Sequence, residues 1–311
     1  MSQVGFYGLG SMGICMALNL QKHLQETKQP SLHYSNRTLS KGETLKAAGG
    51  VEEPNYAALV KSCDIIFTMI SNDKVLNNLV DVALLAGSIR GKIFVDTSTV
   101  HPDTAVQSSE KLTNAGASFI ASPVFGANAM AASGKLIFAL AGPRAVTDLV
   151  KPLILNVMGR SIIELGEDVS KSSMLKIAGN VIVIGLMEVI SEVQVFAEKV
   201  GLGTTIMEKM IADMFGPVAE SYSKRLTTGC YAPPHGTTPG FGISLAIKDA
   251  KHAISIANGH DMRLNVSEAA LSHMLNARSY AGENLDSSSM YGTIRQESGL
   301  PFWSENSRQC I

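Results

Sequence analysis

One stretch, VGFYGLGSMG at residues 4–13, constrains this chain more than any other. A short apolar run leads straight into Gly8-Leu9-Gly10-Ser11-Met12-Gly13, and a helical pattern, SMGICMALNLQKHLQ, follows at once. A G-x-G-x-x-G spacing alone is weak evidence; between a strand and a helix it has a definite physical reading. The first glycine allows a tight turn. The second lets a pyrophosphate approach the backbone, and the third lets the helix pack closely on the strand. The free N–H groups at the start of the helix then favour phosphate.

The runs SLHYSNR (31–37), CDIIFTMIS (63–71), KIFVDTS (92–98), ASFIASPV (117–124) and KLIFALAG (135–142) also read as strands. Helical patterns such as KVLNNLVDVALL separate them. This rhythm predicts βαβ units and a mainly parallel sheet, hence an α/β class with an N-terminal, Rossmann-like, doubly wound domain at about 1–165. After Gly166 the pattern changes. Residues 168–200 run without proline and are apolar nearly all round in their middle, as expected of a helix buried between domains or subunits. TIMEKMIADMF, GISLAIKDAKHAISIANGH and NVSEAALSHMLNARSYA continue in helical pattern. A mostly all-helical substrate and dimerisation domain is therefore expected over 166–311. Its polar tail from Asp286, with Ser287-Ser288-Ser289 and Phe302-Trp303, reads as loop.

The formal net charge of -1 offers no electrostatic grip on nucleic acid or an anionic membrane. The most apolar stretch, VIVIGLM at 181–187, is far shorter than the ~20 residues of a membrane span. The start MSQVGFYGLG lacks the basic region of a secretory signal. Cys15, Cys63, Cys230 and Cys310 show no ligand-like spacing, which predicts reduced thiols in a cytoplasmic protein. Cys230 and His235 fall short of a zinc ligand set, so no metal is expected.

The end of the second strand chooses between the two nicotinamide dinucleotides. An NAD site normally carries an acidic residue there, accepting from the ribose hydroxyls. This chain has Asn36-Arg37-Thr38, with Lys41 just beyond. A carboxylate would repel a 2′-phosphate, whereas a guanidinium binds it with a planar, charge-assisted fork. The expected cofactor is NADP(H); the other reading makes Arg37 a solvated surface charge.

In the long helix Lys176 and Asn180 lie four residues apart and share a face within an apolar run. A desolvated lysine loses its charge readily and becomes a proton donor near neutral pH. The asparagine amide can orient a substrate oxygen or the lysine. Taken alone, the pair is equally a lysine that snorkels to water and a core asparagine.

Four motifs in order resemble the β-hydroxyacid dehydrogenase family, which includes 3-hydroxyisobutyrate dehydrogenase, glyoxylate/succinic semialdehyde reductase and, more distantly, 6-phosphogluconate dehydrogenase. They are GLGSMG (8–13), DTSTVHP (96–102), SPVFGANAMAASGKL (122–136) and KIAGN (176–180), with a weaker match at LAIKDAKHA (245–253). The resemblance covers residues 1 to about 290. It implies hydride transfer between the nicotinamide and the carbonyl or alcohol carbon of a small molecule, with Lys176 as general acid and base and Asn180 beside it. It implies cofactor contacts from Gly8, Leu9, Gly10, Ser11, Met12, Gly13, Asn36, Arg37, Thr38, Met69, Ile70, Ser71, Thr99 and Lys248. Substrate contacts are implied for Ser98, Phe125, Gly126 and Ala127. It also implies a homodimer, or a dimer of dimers, with interlocked helical domains and an active cleft between domains.

The chain departs from the family at Phe125, where hydroxyacid-specific members carry a serine that helps hold the substrate carboxylate. Ala127 replaces the following glycine, and Ser170 and Ser172 replace two glycines ahead of the lysine. A carboxylate leaving water needs compensating donors, and losing one costs roughly 1–3 kcal/mol. A larger or more apolar carbonyl compound gains by comparison, unless Phe125 turns into the core. Two other functions share this fold: reduction of a C=N bond, in whose enzymes the lysine is commonly replaced, and a non-catalytic NADPH-binding module. Lys176 and Asn180 favour the carbonyl reductase.

Overall fold

The protein's structure, a computed structural model, describes residues 2–308. The chain divides into two compact units, with the boundary between Lys176 and Ile177.

In the first unit β1 (Val4–Tyr7), α1 (Ser11–Glu26), β2 (His33–Ser35), α2 (Glu43–Ala47), β3 (Val51–Glu52), α3 (Tyr56–Ser62), β4 (Ile65–Thr68), α4 (Asp73–Leu85), β5 (Ile93–Asp96), α5 (Pro102–Asn114) and β6 (Ser118–Ala121) follow in order. The strands form a parallel sheet in the order β3-β2-β1-β4-β5-β6, as the alternating pattern predicts. Successive side chains point to opposite faces. Ile65, Phe67, Ile93, Val95 and Ile120 therefore join a core with Met16, Leu20 and Leu24 of α1. Ile66, Phe94 and Phe119 join a second core with Leu59, Leu79 and Val80. Helix starts are fixed locally: the Asn55 and Asn72 side chains accept from Ala58 and Val75 N–H, and Pro102 occupies the first turn of α5, where its missing N–H costs nothing.

The run KLIFALAG does not belong to that sheet. β7 (Val124–Phe125), α6 (Asn128–Ala132), β8 (Leu136–Leu140), α7 (Arg144–Ile154) and β9 (Gly159–Glu164) build a separate three-stranded sheet, β7-β8-β9, with β7 antiparallel to β8. The single strand expected over 117–124 breaks at Ser122-Pro123. Proline has no N–H for the ladder, and after the short α6 the chain turns back to pair β8 antiparallel with β7.

α8 (Val169–Lys199) starts in the first unit, where Val169 joins the α3/α4 core. It is long and apolar enough to cross a membrane, well beyond the short stretch at 181–187. Its Ile184, Met187, Ile190 and Val195 nevertheless lie in the core of the second unit. There α9 (Thr204–Thr227), α10 (Ile243–Asn258), α11 (Asn265–Ala281) and α12 (Met290–Glu297) surround them; α9 is broken at Gly216, whose φ is 76°, just before Pro217. α12 corrects the expectation of a polar loop after Asp286. Ser287, Ser288 and Ser289 are fully buried and Phe302 is in the core. Hydrogen bonds offset much of the desolvation cost: Asp286 accepts from Ser288 and Phe241 N–H, and Arg295 donates to Pro301 O at 2.8 Å and ion-pairs with Glu198. Cys15, Cys63 and Cys230 are free thiols; Cys310 lies outside the described residues.

In this unit His273 of α11 stands between two acids, Glu188 of α8 (Nδ1–Oε1 2.6 Å) and Glu297 of α12 (Nε2–Oε2 3.3 Å). The Glu188 hydrogen bond holds the imidazole above its ordinary range, against the opposing effect of burial. The charged form is thus favoured by folding. Its contribution to stability is complete below about pH 6.5 and fades as pH rises through the raised value. Melting temperature is expected to fall over that range, and His273→Gln to flatten the slope. Parallel wild-type and variant curves would show that the imidazole is neutral in the fold.

Candidate functional site

The glycine loop joins β1 to α1, and each glycine meets a different constraint. Gly8 has φ +100°, and a Cβ there would lie 2.1 Å from the Met69 carbonyl oxygen. A Cβ on Gly13 would lie 1.9 Å from the Gly8 carbonyl oxygen. Gly10 is open, with nothing within 4 Å of a Cβ. α1 starts at Ser11 with no side-chain cap and no acidic residue in its first turn, so its leading N–H groups are available to an anion. An exposed glycine backbone beside an uncapped helix start fits a pyrophosphate. Ser11 and Met12 are half-buried in that first turn, and Leu9 is buried.

At the end of β2, Asn36 Oδ1 accepts from Leu9 N–H at 2.9 Å and its Nδ2 donates to Thr38 O at 2.8 Å. Asn36 therefore braces the glycine loop. Arg37 and Thr38 are exposed. Arg37 has no carboxylate partner among the described residues, and its charge reaches Tyr7: burial pushes that phenol up, and the guanidinium pulls it partly back. An unpaired guanidinium at this strand end suits a phosphate on the adjacent ribose.

The ends of β4 and β5 are tied together by the acid that opens the DTSTVHP motif, to which the sequence alone assigned no role. Asp96 is only 2% exposed, and its Oδ1 accepts from Thr68 Oγ1 at 2.8 Å and Ser98 Oγ at 2.7 Å. Ser98 Oγ also accepts from Ile70 N–H at 2.8 Å. Ser98, expected at the substrate, is buried and commits its hydroxyl to positioning the 69–71 segment. Met69, Ile70 and Thr99 are half-buried and Ser71 is exposed.

β7 decides where Phe125 points. Val124 is buried, so the alternation of a strand sends Phe125 to the other face. There its ring lies under the Lys176 ammonium, 4.7 Å from Nζ to the centroid. Both residues are half-buried. Phe125 does not turn into the core. Gly126 has φ +134°, and Ala127 is exposed at the start of α6. The serines ahead of the lysine are engaged elsewhere: Ser172 Oγ donates to Ala139 O, and Ser170 Oγ to Asp168 at 2.6 Å.

One turn beyond Lys176 on α8, in the second unit, Asn180 is 4% exposed and donates through Nδ2 to Asp249 Oδ2 at 2.6 Å. Asp249, 3% exposed, also lies 3.0 Å from Lys248 Nζ through Oδ1, an ion pair not aligned as a hydrogen bond. This buried carboxylate fixes the rotamer of Asn180 and lies beside Lys248. Sequence reasoning missed it, although the Lys248-Asp249 dipeptide was the available signal.

Comparison with known proteins gives a family match for each half of the chain. Residues 3–166 match the family described as the NAD binding domain of 6-phosphogluconate dehydrogenase. Residues 171–294 match the NAD-binding domain of NADP-dependent 3-hydroxyisobutyrate dehydrogenase. The NADH-dependent oxidoreductase ucdB of Aspergillus ustus is 32% identical over 94% of this chain and 98% of its own. Glyoxylate/succinic semialdehyde reductase 1 of Arabidopsis thaliana is 28% identical over 94% and 98%. Among solved structures, 3-hydroxyisobutyrate dehydrogenase from Salmonella typhimurium superposes with a TM-score of 0.81 at 19% identity, covering 94% of this chain and 99% of that one. An imine reductase from Pseudomonas sp. gives 0.60 at 15% identity, covering 94% and 99%. These last two likenesses concern the fold alone.

Proposed function

The chain belongs to the β-hydroxyacid dehydrogenase family of NAD(P)-binding oxidoreductases, and from that premise we propose that it is an NADP(H)-dependent reductase or reversible dehydrogenase of a small carbonyl or alcohol compound, with Lys176 as its proton donor and acceptor. The observation that carries this reading is the Lys176 ammonium held over the Phe125 loop, in the same unit as the open glycine cradle.

When bound, the nicotinamide supplies the hydride. Gly10 and the leading N–H groups of α1 hold the pyrophosphate, and Arg37 holds the 2′-phosphate. Lys176 Nζ gives a proton to the substrate oxygen as charge develops there, and takes it back in the oxidative direction. Asn180, the second polar residue of the K-x-x-x-N motif, has its amide oriented by Asp249. A lysine in this position favours carbonyl over imine reduction. The exposed apolar side chains Ile182, Val189 and Phe196 of α8 and Met214, Phe215 and Val218 of α9 support a homodimer or a dimer of dimers through the helical unit.

NADPH oxidation across aldehydes, ketones, keto acids and cyclic imines tests the reading; turnover confined to imines, or none with any class, would overturn it. Cofactor choice has to be read from this chain's own strand end, since the Aspergillus relative is named for NADH. A charge-assisted contact from Arg37 makes NADPH bind about tenfold or more tightly than NADH. Fluorescence titration of both nucleotides, with Arg37→Ala expected to remove the difference, checks this; equal affinities in the wild type would release Arg37 from the site.

A further inference from the structure

We infer that Phe125 is a positioning and specificity residue: its ring holds the Lys176 ammonium in place and excludes a substrate carboxylate, so the compounds reduced are neutral carbonyls with an apolar group near the reacting carbon. The inference rests on the assignment of Lys176 as proton donor.

Three observations carry it. First, Nζ lies 4.7 Å from the ring centroid, within the range where a cation is attracted by the negative face of an aromatic ring. The contact joins residues far apart in sequence, from two-residue β7 and from α8, and it locates the end of a long, flexible side chain. Second, the same negative face repels a carboxylate and offers it no hydrogen bond. Third, the hydroxyls nearest in sequence are engaged or closed off: Ser98 on Asp96 and Ile70, Ser172 on Ala139, Ser170 on Asp168, while Ser122 is fully buried. None of these serine hydroxyls is open to take up a carboxylate as it leaves water, whereas an alkyl or aryl group meets the edge of Phe125 at no such cost. One residue thus serves the proton donor and the choice of substrate together.

The experiment compares succinic semialdehyde with its isosteric aldehyde, in which an isopropyl group replaces the carboxylate, under saturating NADPH. For the wild type kcat/KM is expected to favour the isopropyl aldehyde by about tenfold or more. Phe125→Ser supplies a donor and removes the ring, and is expected to reverse that preference. Phe125→Leu stays apolar, so the preference persists and KM for the neutral aldehyde changes little. Its kcat falls about two- to fivefold, because the ring no longer helps to hold the ammonium. Phe125→Tyr keeps the ring face and restores kcat. Melting curves of all three variants verify folding. A wild type that prefers the acid, or a Phe125→Ser variant with unchanged preference, overturns the specificity assignment. Full kcat in Phe125→Leu overturns the positioning role. A wild type that binds NADPH and reduces neither aldehyde overturns the inference; one that also reduces no ketone or keto acid overturns the carbonyl-reductase reading itself.

Discussion

Lys176→Ala is expected to lower kcat by about 10²- to 10⁴-fold, the usual worth of a positioned general acid or base, while the dissociation constant for NADPH stays within a few-fold. The nucleotide contacts proposed for Gly8 to Gly13 and Arg37 do not depend on the lysine. Folding should survive, because Lys176 is half-buried and its cation–π pair with Phe125 is worth only ~0.5–1 kcal/mol at such a site. Lys176→Arg separates two ways the ammonium could act. A guanidinium keeps the charge and stacks well on Phe125, yet it does not release a proton at any working pH. If the lysine acts by proton transfer, the arginine variant is as inactive as the alanine one. If it only stabilises developing negative charge, the arginine variant keeps much of its turnover. Steady-state rates and fluorescence titration on the same preparations decide between them, and alanine turnover near the wild-type rate would remove Lys176 from the mechanism altogether.

The parts of this molecule written in local pattern were readable from the sequence, and the parts written in pairing were not. The glycine loop and the parallel strands are local: each strand is its own short apolar run, and α3, α4 and α5 start at local signals, Asn55, Asn72 and Pro102. β9, in contrast, reads GRSIIE and is largely open to water. It exists because β8 pairs with it over residues 136–164, a partnership that hydropathy does not announce. The tail misleads for the opposite reason. Polar residues normally mark surface, but Asp286, Ser287, Ser288 and Arg295 are buried with hydrogen-bond partners of their own. The candidate site shows the same division. Lys176 and the glycines stand in recognisable motifs. Asp96 and Asp249 matter through what they touch, Ser98 and Thr68 for one and Asn180 for the other, and a single buried aspartate leaves no periodic trace. Phe125 was visible as an odd residue. Its direction was settled only by β7 pairing, which opposes Phe125 to Ile137 and sends Val124 inward.

The glycine loop offers a paired test in which stability and cofactor binding separate. At Gly13 an added methyl meets the Gly8 carbonyl oxygen at 1.9 Å and the Phe6 ring at 3.3 Å. The obstacle is backbone directly after the strand that α1 packs against, so neither side can yield without moving helix from sheet. Gly13→Ala is expected to cost ~3 kcal/mol or more, lowering the melting temperature by ~10 °C for a unit of this size, with nucleotide binding lost alongside. At Gly10 the conditions are reversed. Its φ of -75° and ψ of -172° suit alanine, and nothing lies within 4 Å of the new carbon. Gly10→Ala should therefore melt at or slightly above the wild-type temperature, since alanine restricts the unfolded chain. The methyl group instead occupies space that the pyrophosphate needs, and NADPH affinity should fall by about tenfold or more. Thermal melts without nucleotide, followed by titration with NADPH, read the two effects independently. A Gly10→Ala protein that melts normally and binds NADPH as tightly as the wild type would mean that the dinucleotide does not lie against this loop, and the assignment of the cradle, with Arg37 behind it, would fall.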